Sequence, residues 1–348
     1  MTDDVTADAR SDEPVDDGPV TLRTIARAAG VHVSTVSRAL RRAATPGATI
    51  TSADARIVAL AKELRYTPNP NAASLTTKRS TALGVLVPHL TDIVLSSVYD
   101  AIEGEANRAG YETFVANTHD QPTEQVRRLE LLLGRRVDGM ILGDAHLDGT
   151  NLAELHRRKV HFVLVSRRSP GYLSVCGDDY GGGRRVGEHL AALGHTEVGI
   201  IAGPPWASTS VDRVAGCVDA LADAGVTVPP HNIVHPGFDA QHGHDGAMAL
   251  LTSARPPSAI FAVNDFSAIG AMGALRELGR TPGRDVAVAG YNDVPVAREL
   301  MIPLTTVRSP MEEMGVRAVQ TLLAVLHGLP TSSTTLPTEL VVRESTRG

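Results

Sequence analysis

From Ala82 onward the sequence alternates short, β-branched apolar runs with longer segments in which apolar residues recur every three or four positions. The runs suit strands buried on both faces, and the longer segments have the period of amphipathic helices. This βαβ pattern predicts parallel sheets covered by helices. About 265 residues exceed what one sheet comfortably holds, so we expect an α/β fold with two doubly wound subdomains and a cleft between them.

The same pattern assigns individual elements. Strands are expected at residues 82–87, 112–116, 139–142, 162–165, 198–202, 260–263 and 286–290, and helices at residues 98–109, 124–133, 183–193, 211–224 and 266–278. In folds of this kind ligands bind at the carboxyl ends of the strands. The residues that follow the strands are therefore the first candidates for a binding site.

The net charge of −6 hides a strong segregation of charge along the chain. Residues 1–18 hold seven acids and one arginine, residues 19–80 hold ten Lys or Arg and two acids, and residues 81–348 hold 22 bases and 30 acids. The first block is too polar to bury a core, so we expect a disordered acidic tail there. The second block is a basic module suited to the phosphates of a nucleic acid.

Several classes of protein are disfavoured by composition. The sequence has no run of about 18 apolar residues and its N-terminus is acidic, so we expect no membrane span, no secretory signal and a cytoplasmic location. Cys176 and Cys217 lack the paired spacing of a zinc site or a disulfide framework, which fits a reducing compartment. We expect neither a metal nor a cofactor.

Residues 21–40 have the pattern of two short helices joined by a glycine turn, and a third helical segment follows. Thr21 can cap the first helix, and Gly30 can adopt the left-handed conformation that ends it. Ser34 or Thr35 lies at the start of the second helix. The apolar residues that could share one small core are Ile25, Ala26, Ala29, Val31, Val36, Leu40, Ile57, Leu60, Ala61 and Leu64.

The second of these helices would present a polar face to the major groove of DNA. Its outward residues are Val33, Ser34, Ser37 and Arg38. Arg38 is the candidate for reading a guanine, because a guanidinium can bind both acceptors of that base. The spacing alone leaves open a small helical domain whose polar face is only solvated.

The segment Val20-Thr-Leu-Arg-Thr-Ile-Ala through Ala-Gly-Val to Ser-Thr-Val-Ser-Arg-Ala-Leu40 resembles the opening of the LacI/GalR family of transcriptional regulators. Further segments resemble the family in its own order: Leu64-Arg-Tyr-Thr-Pro-Asn69, Ala72-Ala-Ser-Leu75, Leu83-Gly-Val-Leu-Val-Pro88, Gly194-His195, Asn264-Asp265, Gly290-Tyr-Asn-Asp293 and Pro303-Leu-Thr-Thr306. The resemblance covers roughly residues 20–345. It implies a helix-turn-helix domain at 19–67, a hinge helix and linker at 68–80, and a periplasmic-binding-protein-like core at 81–348, after the tail at 1–18.

The resemblance implies a sequence-specific DNA-binding transcriptional regulator, a repressor in the commoner case and not an enzyme. It would bind double-stranded, pseudo-palindromic operator DNA as a homodimer held together by its core. The expected DNA contacts are Thr21, Val33, Ser34, Thr35, Ser37, Arg38, Arg41, Asn69, Ala72 and Leu75. Leu75 would wedge into the minor groove and bend the duplex, although a linker residue packed on its own domain is an alternative.

Two features of the DNA-binding region depart from the family. Pro70 stands where the family often has another residue, but proline is tolerated in the first turn of a helix. The loop at residues 41–50 is a few residues longer than usual. We expect its two arginines, Arg41 and Arg42, to touch phosphate.

The resemblance also places a small-molecule effector, such as a sugar or a related metabolite, between the two subdomains. The candidate effector-binding residues are His89, Asp92, Ser166, Arg213, Phe238, Asn264 and Asn292. Ser166 and Asn292 stand where carboxylates that bind sugar hydroxyls are common in the family. This departure leaves open a different sugar, a nucleoside or a more acidic ligand. Binding would release the operator or, for a corepressor, tighten the complex.

Each candidate also has a structural alternative. Arg213 could pair with Asp212 or another surface acid, Phe238 could belong to the core, and His89 could be an exposed loop residue. Asn264 is expected to serve the site, because it follows a strand directly. Asp265 is expected to cap the helix that begins at Phe266.

Two rival functions have weaker support. The glycine-rich segment Tyr180-Gly-Gly-Gly-Arg-Arg-Val-Gly187 lacks the end of a phosphate loop and is expected to allow close packing at the start of a helix. His242 and His244 lack further metal ligands at fixed spacing, so an enzyme is disfavoured. A transport-type binding protein would share the core, but the basic block at residues 19–80 argues against it.

Overall fold

The computed structural model describes residues 20–44, 48–67 and 80–347. Contacts divide the chain into an N-terminal unit up to residue 78 and a C-terminal unit from residue 79. The expected acidic tail and nearly all of the expected hinge at 68–80 lie outside the described residues. Among the helices that are described, none combines the length and apolarity needed to span a membrane.

The described part of the N-terminal unit consists of α1 (Leu22–Ala29), α2 (Val33–Ala44) and α3 (Ser52–Glu63). Thr21 caps α1 by accepting a hydrogen bond from the backbone N of Thr24, and Gly30 ends this helix at φ 66°. Thr51 caps α3 in the same way through the backbone N of Asp54. Both predicted ends of α1 are therefore confirmed.

The second helix differs from its prediction at both ends. It begins at Val33, where the Nδ1 atom of His32 accepts a hydrogen bond from the backbone N of Ser34 at 3.3 Å. It continues to Ala44, so the first four residues of the predicted loop at 41–50 are helical. These residues are arginines and alanines, which favour a helix.

One small core holds the three helices together. Ile25, Ala26, Val36, Ile57 and Ala61 are buried in it. The other predicted core residues pack around them half-buried: Ala29, Val31, Leu40, Leu60 and Leu64. The core prediction for this unit is confirmed.

The C-terminal unit alternates strands and helices. Its described strands are β1 (Ala82–Val87), β2 (Glu112–Asn117), β3 (Gly139–Leu142), β4 (Phe162–Val165), β5 (Ser174–Gly177), β6 (Val198–Ile201), β7 (Ile233–Val234), β8 (Ala259–Ala262), β9 (Ala287–Ala289), β10 (Thr306–Arg308), β11 (Thr334–Leu336) and β12 (Glu339–Val341). Its described helices are α4 (Ile93–Arg108), α5 (Pro122–Gly134), α6 (Leu152–Arg157), α7 (Asp179–Ala192), α8 (Ser208–Asp223), α9 (Ala240–Leu251), α10 (Asp265–Glu277) and α11 (Met311–Leu326).

These strands form two parallel sheets, one in each subdomain. The first sheet has the order β11-β5-β4-β3-β1-β2, and the second has the order β7-β6-β8-β9. A short antiparallel pair, β10 and β12, accompanies the second sheet. In the first sheet Leu83 of β1 pairs with Thr113 on one side and with Gly139 on the other. Strands β1, β3, β4, β6 and β8 are buried along their whole length, as expected for parallel sheets covered on both faces.

The chain passes between the two subdomains three times within residues 80–347. The connections lie between β5 and α7, between β10 and α11, and between β11 and β12. Helix α11 therefore returns to the first subdomain, where Met314 and Leu322 share a core cluster with Val98 and Ile102 of α4. The predicted fold class, with two parallel α/β subdomains after a helix-turn-helix unit, is confirmed.

The element predictions are accurate for the longer strands and less so for the helices. Helices α4, α7 and α8 begin three to five residues before their predicted starts at 98, 183 and 211. Their first turns contain serines or glycines, which weaken a helical pattern in the sequence. The strands that the sequence did not predict, β5, β7 and β10 to β12, have four residues or fewer and carry little periodicity.

Candidate functional site

The predicted DNA-reading residues lie on α2 and at the cap of α1. Ser34 and Arg38 are exposed, and the Nε atom of Arg38 donates to the backbone carbonyl of Ser34 at 3.3 Å. Val33, Thr35 and Ser37 are half-buried. The exposed face of α2 is therefore narrower than predicted.

The two arginines at the end of α2, Arg41 and Arg42, are both exposed. The Nη1 atom of Arg42 lies 2.6 Å from the Oδ2 atom of Asp54, a side chain that also caps α3. Part of the guanidinium of Arg42 is therefore already bound to an acid of the same unit. The predicted contacts Asn69, Ala72 and Leu75 lie outside the described residues.

Six of the seven predicted effector residues line one cavity between the two α/β subdomains. They are Asp92, Ser166, Arg213, Phe238, Asn264 and Asn292. The cavity measures about 50 Å³, enough for roughly one or two water molecules. A ligand as large as a sugar therefore requires the subdomains to open or lining side chains to move.

Arg213 is buried in this cavity and has three partners there. Its Nε atom lies 2.7 Å from the Oδ1 atom of Asp179, and its Nη1 atom donates to the carbonyl of Val263 at 2.8 Å. The guanidinium also lies 3.7 Å from the ring centroid of Tyr291. The acid that neutralises Arg213 is thus Asp179, and the alternative of Asp212 is wrong, because Asp212 binds Arg168.

Asn264 has two structural bonds besides its place in the cavity. Its Oδ1 atom accepts from the backbone N of Ser267 at 2.7 Å, which caps α10, and its Nδ2 atom donates to the carbonyl of Phe238 at 2.7 Å. The expectation that Asp265 caps this helix is wrong. Asp265 is instead the first residue of α10 and is fully buried.

The carboxylate of Asp265 fixes the loop that carries Asn292. It accepts from the backbone N of Val294 at 2.7 Å and from the hydroxyl of Thr306 at 2.5 Å. Burial raises the pKa of Asp265 to about 7. Asn292 itself has φ 110° and accepts from the hydroxyl of Ser309 at 3.1 Å. Its backbone conformation is unusual for a residue with a side chain, and it is maintained by these bonds.

Asp92 and His89 follow β1 but differ in their surroundings. Asp92 caps α4 by accepting from the backbone N of Val94 at 2.9 Å, and burial raises its pKa. His89 is exposed, packs against the ring of His119 at 5.2 Å, and is not among the residues that line the cavity. The exposed-loop alternative for His89 fits the structure better than the effector role does.

The prediction missed two polar residues of the cavity, Arg167 and Thr209. Arg167 is 6% exposed and forms a bidentate ion pair with Asp120, at 2.6 and 2.9 Å. Its guanidinium lies 5.9 Å from the ring of Phe238. Arg167 directly follows Ser166 at the end of β4, so its position after a strand was a signal that could have identified it.

The glycine-rich segment allows α7 and α8 to cross closely. A Cβ atom on Gly183 would lie 2.1 Å from the carbonyl of Arg213, and one on Gly187 would lie 2.5 Å from the carbonyl of Cys217. The predicted packing role is confirmed. In residues 20–44, 48–67 and 80–347, no group of three His, Cys, Asp or Glu side chains is placed to hold a metal ion.

Comparison with known proteins places the chain in a family. Residues 21–69 match the family "Bacterial regulatory proteins, lacI family", and residues 188–346 match a periplasmic-binding-protein-like domain. The chain is 30% identical to the HTH-type transcriptional regulator DegA of Bacillus subtilis, over 94% of this chain and 98% of DegA. It is 31% identical to the ribose operon repressor of Haemophilus influenzae, over 93% and 98% of the two chains.

A solved structure also matches over nearly the whole chain. The lac repressor dimer bound to operator and the anti-inducer ONPF superposes with a TM-score of 0.87 at 28% identity, over 95% of this chain and all of that one. The match therefore covers both the helix-turn-helix unit and the two-subdomain core. The chain therefore belongs to the LacI family of bacterial DNA-binding transcriptional regulators.

Proposed function

We propose that the chain is a cytoplasmic repressor that binds a pseudo-palindromic operator as a homodimer and is controlled by a small polyhydroxylated molecule of the sugar or nucleoside class. The observation that carries the effector proposal is the convergence of six predicted side chains, from both subdomains, on one cavity. A ligand there touches both subdomains and so favours one arrangement of them over another. The difference between the ligand's affinities for the two arrangements couples effector binding to DNA binding.

The charges around the cavity favour a neutral effector over an anion. Arg167 is neutralised by Asp120, and Arg213 is neutralised by Asp179. The carboxyl of Asp92 adds negative charge when it is ionised. An anionic ligand would compete with Asp120 or Asp179 for these guanidinium groups and would be repelled by their carboxylates, whereas hydroxyl groups can bind Asp92, Asn264 and Asn292 without such competition.

The ring of Phe238 supports the same ligand class. It is half-buried, lines the cavity and belongs only to the edge of a core cluster, so one side remains available to a sugar or base ring. The relatives are consistent with this class, since one is named for the ribose operon. Phe238 therefore combines the core role and the site role that the sequence left as alternatives.

The DNA-binding proposal rests on the exposed residues of α2. One recognition helix buries too little surface for high specificity, so two copies are needed to read two half-sites. The lac repressor structure with a TM-score of 0.87 is a dimer on operator DNA. We propose the same assembly here, with Thr21, Ser34, Ser37, Arg38 and Arg41 as the described DNA contacts and Asn69, Ala72 and Leu75 as hinge contacts.

A thermal-shift screen tests the effector proposal. Sugars, nucleosides and sugar phosphates are added one at a time, because a ligand that binds only the folded chain raises its melting temperature. We expect a neutral sugar or nucleoside to raise the melting temperature of the native chain but not that of Asn264→Ala. A shift produced only by sugar phosphates, or one retained in full by Asn264→Ala, would contradict the proposed ligand class or site.

Enrichment of genomic fragments on the purified chain tests the DNA proposal. We expect the enriched fragments to share a near-palindromic sequence that binds at least 1,000 times more tightly than random duplex, as specific regulators do. The active ligand should then change the affinity for that sequence. A chain with no preference among fragments, with or without the ligand, would overturn the proposal.

A further inference from the structure

Residues 1–18 carry a charge pattern that the proposed function does not use. They hold seven acids and a single base, Arg10, and only two residues separate them from Thr21, the cap of α1. The helical unit that follows has the opposite charge. We propose that these acidic residues bind the basic surface of the helix-turn-helix unit and compete there with DNA, an inference that rests on the DNA binding proposed above.

The positive charge of the helical unit lies on its exposed surface. The described residues of the helical unit contain eight Lys or Arg and only two acids, Asp54 and Glu63. Asp54 is already bound by Arg42. All eight cations are exposed: Arg23, Arg27, Arg38, Arg41, Arg42, Arg56, Lys62 and Arg65. The unit therefore has a large excess of exposed positive charge and few acids of its own to balance it.

The acidic segment is long enough to reach every side of this unit. Its 18 residues can extend to about 60 Å, whereas a 12-residue helix such as α2 is about 18 Å long. A segment tethered this closely acts at an effective concentration in the millimolar range. Weak contacts between carboxylates and guanidiniums, which would be negligible between separate molecules, therefore become significant.

Carboxylates and phosphates compete for the same donors. Both accept charge-assisted hydrogen bonds from arginine. Binding of any duplex must then displace the acidic segment, which lowers the affinity and reduces the number of counterions released on net binding. The affinity for random DNA depends almost entirely on this electrostatic contribution. Binding to random DNA is therefore the most direct probe of the competition.

The first test neutralises part of the acidic segment in the full-length chain. Asp12→Asn, Glu13→Gln and Asp16→Asn are combined, and binding to a 30-base-pair random duplex is followed by fluorescence anisotropy at several salt concentrations. We expect about tenfold tighter binding at low salt and a steeper dependence on salt. Unchanged affinity and an unchanged salt slope would overturn the proposal.

Folding and net charge are controlled separately. Thr21 caps α1 through Thr24, so the changes leave this cap intact, and far-UV circular dichroism checks it. A matched variant changes three exposed acids of the C-terminal unit, Asp223→Asn, Asp245→Asn and Glu299→Gln. We expect it to bind random duplex as the native chain does. An equal gain in both variants would mean that total charge is responsible, which contradicts binding at the helical unit.

The second test distinguishes contact from simple repulsion of DNA. Arg10 is the only trypsin site in residues 1–18, and mass spectrometry follows cleavage after it. If the segment binds the helical unit, duplex displaces it and cleavage becomes several times faster. A segment that only repels DNA would be cleaved at the same rate with and without duplex, and the proposal would be wrong. Neither result affects the proposed operator binding. A failure of this inference can therefore be distinguished from a failure of the proposed function.

Discussion

Arg168 and Asp212 form a bidentate ion pair that joins the two α/β subdomains, with Nε–Oδ2 and Nη2–Oδ1 distances of 2.9 and 2.6 Å. Arg168 follows β4 of the first sheet, and Asp212 lies on α8 of the second subdomain. The backbone N of Arg168 also donates to the hydroxyl of Ser208 at 2.9 Å. None of these residues belongs to the three connections, so the contacts add a separate link that favours the closed arrangement around the cavity.

Breaking this pair should make the subdomains open more often. Trp206 is the only tryptophan of the chain, and it stacks on His146 of the other subdomain with ring centroids 5.6 Å apart. Its fluorescence therefore reports opening. In Asp212→Asn we expect stronger quenching by acrylamide, since loss of an exposed pair worth about 0.2–1 kcal/mol shifts the population up to about fivefold.

A matched substitution on the same helix serves as the control. Asp223 at the end of α8 binds Arg184 of α7, so this pair lies within one subdomain. Asp223→Asn should leave acrylamide quenching of Trp206 unchanged. Equal quenching in both variants would show that the ion pair between the subdomains has no special role in closure.

The crossing of α7 and α8 predicts a large effect for one added methyl group. Gly183→Ala places a Cβ atom 2.1 Å from the carbonyl of Arg213, which cannot be accommodated without moving one helix. We expect the free energy of unfolding to fall by about 1–3 kcal/mol or more. Because the backbone of Arg213 moves, the thermal shift produced by the effector should also decrease.

Gly104→Ala is the opposite case at another helical glycine. Gly104 lies inside α4, and a Cβ atom there would have only the end of the Arg108 side chain nearby, at 4.0 Å. Alanine favours the helix by about 1 kcal/mol over glycine, so this variant should unfold at higher urea. Urea unfolding followed by circular dichroism compares the two, and a decrease of equal size in both would contradict the packing argument.

The sequence could predict most of the cavity because parallel strands present their carboxyl ends at a shared edge. Ser166 directly follows β4 and Asn264 lies two residues after the end of β8, and each was predicted from that rule together with the family resemblance. The ion-pair partner of Arg213, another cavity residue, was not predictable in the same way. Asp179 lies 34 positions before Arg213, and only the packing of α7 on α8 brings the two together, whereas the neighbouring Asp212 points to Arg168.

The capping residue of α10 was also not predictable from the sequence alone. Asn264 and Asp265 are both good capping residues, and the sequence alone favoured Asp265. In the structure Asn264 is the cap, because the carboxylate of Asp265 accepts hydrogen bonds from the backbone N of Val294 and the hydroxyl of Thr306. Both of these partners are far away in the chain. Tertiary hydrogen bonds, and not local preference, decided which residue begins α10.

Asp265 makes stability depend on pH. Burial raises its pKa from 3.8 to about 7, so between these values the folded chain holds a proton that the unfolded chain has released. The free energy of unfolding therefore falls as the pH rises through this range, by up to about 1.4 kcal/mol per pH unit from this group. Asp265→Asn should flatten the dependence between pH 5 and pH 7 in urea unfolding.

The amide fits the same hydrogen bonds, since its oxygen can accept from Val294 and its nitrogen can donate to the oxygen of Thr306. Asp285→Asn is the matched control. Its pKa is lowered to about 2 by Arg284, so Asp285 is ionised in both states above pH 5 and its contribution is lost only at lower pH. If the two variants have the same slope as the native chain between pH 5 and pH 7, Asp265 does not carry the proton.

The recognition helix makes a prediction about specificity. Arg38 is exposed one turn after Ser34 on α2, and Arg41 lies about one turn further along the helix. If Arg38 reads a base, Arg38→Ala should lower the ratio of operator to random affinity by about 1–3 kcal/mol. Arg41→Ala should weaken both affinities alike and reduce the salt slope by about one, as loss of a phosphate contact does. Anisotropy titrations on enriched operator and random duplex measure both quantities. The division of roles is wrong if the two variants change the ratio equally.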